Sequence, residues 1–131
     1  MNLLAEYTED KGIILDTLID EDGQEYVWAM NEKAKEFSFS TRDPKAINGF
    51  KDFLRKNPVI TGVAVGVGIN ALDNYKANKR LTTRFFATNA TERRLYQKVA
   101  DDLVKTGNYT MMKDGKRIKS GWLWELKRRS I

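Results

Sequence analysis

Sixteen consecutive residues without a charge, 57–72 (NPVITGVAVGVGINAL), interrupt a chain of 131 residues in which 31% are Asp, Glu, Lys or Arg. The stretch is dense in Gly and Val and has basic residues on either side. Apolar surface on this scale is covered in a native molecule, by the chain's own core, by another protein copy or by lipid.

Two periodicities compete within it. As a strand, Val59, Thr61, Val63, Val65, Val67 and Ile69 line one face, and Ile60, Gly62, Ala64, Gly66 and Gly68 the other. As a helix, Asn57 caps the start, Pro58 takes the first position and Gly62 and Gly66 stack four apart. Residues 71–80 (ALDNYKANKR) would continue that helix. Three glycines at ~1 kcal/mol each and seven β-branched residues at ~0.5 each cost it roughly 6 kcal/mol relative to alanine. Close packing against another helix, or exclusion of water, is needed to offset that penalty. The cap and the helical exit favour the helix, with the strand as the alternative.

A helix of this kind offers a small-xxx-small surface on which a second backbone approaches closely. Val59, Gly62, Val63, Gly66, Val67 and Asn70 are therefore the candidate contact residues, toward another copy of the chain, a larger protein assembly or a membrane. A bilayer span is the poorer fit. Sixteen residues rise about 24 Å, short of the ~30 Å of hydrocarbon. The flanks are also balanced, with five Lys/Arg in 42–56 and four in 73–87, whereas spanning helices carry a charge asymmetry.

The length allows one domain or two small lobes around a modest core. Three segments are expected: an acidic β-rich lobe with an amphipathic helix (1–56), the Gly/Val-rich segment with a basic connector (57–88), and a basic helix–hairpin lobe (89–131). There is no cysteine and no histidine. Disulfides, thiolate nucleophiles and the commonest neutral-pH base and metal ligand are thereby removed, and the expectation is a protein that is not an enzyme. The first residues, MNLLAEYTED, lack a basic start followed by an apolar run, so a cytoplasm-like compartment is expected at synthesis. Charge is unevenly spread. Residues 1–43 carry four Lys/Arg against eleven Asp/Glu, and residues 44–131 carry nineteen against seven. The basic part suits nucleic acid, an anionic membrane or the acidic lobe of a neighbour.

The fold class expected is α+β. Residues 12–19 and 24–31 read as strands joined by an Asp22-Gly23 turn, and 36–41 as a third, making an antiparallel meander. Tyr26, Trp28 and Met30 share one face, as do Phe37 and Phe39. Asp43-Pro44 opens an amphipathic helix reaching about Lys56, with Ile47, Phe50 and Leu54 as its apolar stripe. Residues 81–90 (LTTRFFATNA) read as a connector. Asn89 and Glu92 form a capping-box pattern for an amphipathic helix with Leu95, Tyr96, Val99, Ala100, Leu103 and Val104 in two adjacent rows and Gly107 at its C-terminal end. A second hairpin is expected to turn at Lys113-Asp114-Gly115, and a strand with Trp122, Trp124 and Leu126 on one face follows.

Motifs for chemistry are weak. The acidic turn at Asp20–Gly23 lacks the glycine and glutamate spacing of a calcium loop. GVAVGVG followed by Ile69 matches neither the Walker nor the dinucleotide pattern. No catalytic residue, metal ligand or cofactor is assigned. Lys76, Lys79, Arg80, Arg84, Arg93, Arg94, Lys116 and Arg117 are candidates for binding nucleic-acid phosphates. The mixed signs of Glu92, Arg93, Lys98, Asp101, Asp102 and Lys105 argue against insertion of that helix into a groove.

In overall character the chain is similar to small bacteriophage proteins: compact, without Cys or His, with a Gly/Val-rich segment between two small lobes and a basic tail. That likeness implies a virion component. The leading expectation is a structural, assembly-forming protein that oligomerises through the Gly-rich segment. A nucleic-acid-binding module and a membrane-active protein are the alternatives.

Overall fold

Among the described residues, alternation of apolar and polar side chains builds a six-stranded sheet, on one face of which two helices pack. The computed structural model describes residues 13–19, 23, 25–31, 33, 35–41, 56, 58–77 and 82–129. In chain order these form β1 (Ile13–Ile19), β2 (Glu25–Asn31), β3 (Glu36–Thr41), α1 (Pro58–Lys76), β4 (Thr82–Ala87), α2 (Ala90–Lys105), β5 (Tyr109–Ile118) and β6 (Gly121–Arg128). The strand order is β1-β2-β3-β4-β6-β5. Every pairing is antiparallel except β3 with β4, which run parallel and pair only at Glu36–Arg84 and Phe37–Phe85. Segments 1–56, 57–88 and 89–131 all contribute strands or helices to this single sheet and its core.

The mixed α/β architecture agrees with the expected class, and the meander over β1–β3 lies where the alternation placed it. Gly23, at φ 81°, provides the left-handed residue its first turn needs. The uncharged stretch is helical, so the strand alternative is set aside. The helix expected over 43–56 falls outside the described residues, Lys56 apart.

Two expectations are corrected. Residues 82–87 are not a connector but a central strand, with Thr83, Phe85 and Ala87 buried and Thr82, Arg84 and Phe86 alternating to the other face. Lys113-Asp114-Gly115 is not a turn. Gly115, at φ 63°, lies where the β5 register shifts between Lys113 and Lys116. The hairpin closes later, at Lys119-Ser120, beside the Ile118–Gly121 pair. A left-handed glycine serves a bulge as well as a turn, and here the strand continues through it.

Rings run across the sheet beneath the helices. Trp28 stacks on Phe37 at 4.7 Å and on Phe39 at 4.3 Å. Phe37 meets Phe85 at 5.3 Å, Phe85 meets Tyr96 at 5.9 Å, and Tyr96 meets Trp124 edge-on at 6.4 Å. Offset and tilted pairs of this kind add to the burial that dominates the core energy. Beyond the short β3–β4 pairing, the Phe39 amide donates to the Tyr96 hydroxyl at 3.1 Å, so α2 satisfies a buried donor that the neighbouring strand leaves open.

Candidate functional site

The inward face of α1 carries Ala64, Val65, Gly68, Ala71, Leu72 and Lys76, spaced as one helical stripe. This stripe offsets the poor propensity of the segment. Leu72, Ala64 and Val65 join the core, and the Trp28 indole N–H donates to the Ala64 carbonyl at 2.9 Å. At the far end Arg128 forms an ion pair with Asp73, and Lys76 donates to the carbonyl of Thr82.

The outward face carries Val59, Gly62, Val63, Gly66 and Asn70, all exposed. Val59 is 79% and Val63 51% exposed, among the largest exposures of any large apolar residue described. A Cβ built on Gly62 or Gly66 would meet nothing within 4 Å. Five of the six expected contact residues therefore share one open surface. Val67 is the correction: it is half-buried and packs against the core, because its position turns it toward the sheet side of the helix.

Beside this face runs a groove of ≈ 510 Å³ between the two helices, lined by Pro58, Thr61, Gly62 and Val65 of α1 and by Thr91, Arg94, Leu95 and Lys98 of α2. The α2 side of the groove has no local signature in the sequence that joins it to α1. Leu95 carried a core-facing signal there, and only the packing of α2 beside α1 brings it to the groove.

The expected nucleic-acid residues scatter. Lys79 and Arg80 lie outside the described residues. Lys76 is 2% exposed with its ammonium on Thr82, so its role is to close the end of α1 onto β4 rather than to meet a ligand. Arg94 lines the inter-helix groove. Arg93 and Arg117 both lie against the Trp122 ring, at 4.8 and 4.6 Å, and Arg117 also donates to the Gly121 carbonyl at 3.2 Å. Arg84 and Lys116 occupy the sheet face opposite the helices.

Among the described residues, no three Asp or Glu side chains converge as a metal site would require. No described helix is long and apolar enough to cross a membrane. No protein-family model matches the chain, and neither a curated protein nor a solved structure matches it significantly.

Proposed function

We propose that this protein is a non-enzymatic assembly subunit that joins a second copy of itself through the outward face of α1. The observation that carries the reading is the pair of outward glycines with open space above them, flanked by two exposed valines. Val59 and Val63 form a ridge along one i, i+4 row, and Gly62 and Gly66 form a hollow along the next. Ridges of this row settle into the matching grooves of a second helix. Under a two-fold axis each copy's ridge fills the other's hollow, the self-complementarity that an isologous interface demands.

Charge supports a second copy over other occupants. Residues 57–72 carry no charge on a surface otherwise crowded with it, so two such faces meet without repulsion and without stranding an ion. Asn70, at the end of the seam, gives each copy a polar group to pair across the axis, a device that sets register in helical interfaces. The virus-particle setting belongs to the same proposal and rests on the character of the sequence.

Size-exclusion chromatography with light scattering tests the reading. The wild-type chain should elute as a dimer or larger species that dissociates on dilution. The double variant Gly62→Leu, Gly66→Leu should be a monomer with unchanged far-ultraviolet circular dichroism, since a Cβ at either position meets nothing within 4 Å and leucine favours a helix over glycine. A wild-type monomer across the micromolar range, or a double variant assembled like wild type, removes the proposal.

A further inference from the structure

The sheet face opposite the helices carries a regular array that the assembly reading does not use. Antiparallel register sets three strands in rows. Thr82, Lys127 and Thr110 form the first, Arg84, Glu125 and Lys113 the second, and Phe86, Leu123 and Lys116 the third. Cross-strand partners share a face, so all nine project to the side away from α1 and α2. Lys33 and Lys35, in the β2–β3 turn, close one corner beside Thr82, Arg84 and Glu125.

This face is strongly cationic. Among the described residues of β4–β6, the adjoining β3 and the β2–β3 turn, six basic residues (Lys33, Lys35, Arg84, Lys113, Lys116 and Lys127) stand on this face against two acidic ones, Glu36 and Glu125. Lys113 pairs with Glu125 at 3.7 Å, a long contact that leaves the lysine side chain 41% exposed and so holds it weakly. Phe86 and Leu123 are half-buried in the third row, an apolar platform among the cations.

We infer that the face of β4, β6 and β5 turned away from the two described helices binds single-stranded nucleic acid without sequence preference. Positions two apart on a strand are separated by about 6.7 Å, and neighbouring strands by about 4.8 Å, so the cations form a track and not a point. A track of this kind follows a phosphate backbone, and the accessible part of the half-buried Phe86 ring beside it offers a surface on which an unpaired base stacks. A duplex is the poorer occupant. Its major groove admits a helix or a two-stranded ribbon, whereas a flat three-stranded face with an aromatic platform suits bases that are splayed out.

Fluorescence anisotropy of the full-length chain with a labelled thymidine oligonucleotide, titrated between about 50 and 200 mM salt, tests this. Two double variants lower the net charge equally. Lys116→Glu with Lys127→Glu alters the array, and Lys98→Glu with Lys105→Glu alters the exposed side of α2. The first should weaken binding about tenfold or more at low salt and reduce the salt slope by about 1.4, from ~0.7 per lost phosphate contact. The second should stay near wild type. Phe86→Leu should weaken binding while keeping the salt slope. Equal losses in both charge variants would show that net charge alone acts, and would sink the inference. So would absence of wild-type binding at low salt, equal affinity for the matching duplex, or displacement by polyglutamate as efficient as by the oligonucleotide.

Discussion

The indole of Trp28 occupies the space that a side chain on Gly68 would need. A Cβ built there falls inside contact distance of three carbons of the ring. The glycine lets a large strand residue press against the α1 backbone, where the indole N–H reaches the Ala64 carbonyl. Gly68→Ala should therefore destabilise the fold, because overpacking costs about 1–3 kcal/mol and outweighs the ~1 kcal/mol that alanine gains in a helix. Gly62→Ala and Gly66→Ala meet no neighbour and should each stabilise the isolated chain by up to about 1 kcal/mol. Urea unfolding at low protein concentration, where any assembly has dissociated, separates the two classes. A Gly68→Ala variant as stable as wild type would show that Trp28 moves aside freely.

The start of α2 is fixed by a reciprocal set of hydrogen bonds. The Asn89 side chain accepts from the Glu92 amide at 2.9 Å, and the Glu92 carboxylate accepts from the Thr88 hydroxyl at 2.8 Å. Asn89→Ala removes the cap and should cost about 1 kcal/mol. Asn89→Ser keeps an acceptor for the Glu92 amide without setting a second carboxylate against Glu92 and should cost little. Chemical denaturation of both variants checks this, and equal losses would assign the effect to something other than the cap.

Tyr109 is buried where β5 meets the end of α1, with Arg128 at 5.4 Å from its ring. Burial raises its pKa to about 12, an effect that the neighbouring guanidinium only partly offsets. The folded state therefore holds the phenolic proton more tightly than the unfolded chain does. That contribution is fully present below about pH 10 and is lost as pH rises toward 12. A single proton sets a limit of ~1.4 kcal/mol per pH unit on the slope. Tyr109→Phe should flatten the alkaline fall in stability between about pH 10 and 12 while leaving the neutral-pH baseline nearly as it was. Parallel melts of the two proteins across that range give the comparison, and identical slopes would contradict it.

Local chemistry made much of the fold readable. Asp-Gly with apolar alternation on both sides marks the first hairpin, and Asn89 with Glu92 marks the start of α2, because each signal acts within a few residues. β4 was hidden because six residues give only three inward positions, and its sequence partners are remote: β3 on one side and β6 on the other. Lys76 is deceptive for a similar reason. In a run of basic residues it resembles a solvated cation, yet it lies one helical turn past the buried Leu72 and belongs to the inward stripe. The open sheet face could not be assembled from the sequence at all, since its three rows depend on strand order and register.

Val63 separates the assembly reading from a merely structural role for α1. Its side chain is half exposed and its face of the helix is open in the isolated chain. Val63→Glu should leave unfolding free energy within about 0.5 kcal/mol of wild type, as exposed substitutions generally do. In the assembly the same carboxylate would be pressed into an uncharged seam beside its symmetry mate, and an ion stranded in this way costs several kcal/mol. Sedimentation equilibrium should then report weakening of self-association by two orders of magnitude or more, with Val63→Ile close to wild type. If Val63→Glu assembles normally, the ridge of α1 faces solvent in the native state and the subunit contact lies elsewhere. If it unfolds instead, Val63 belongs to the core of the chain and the outward face is not an interface.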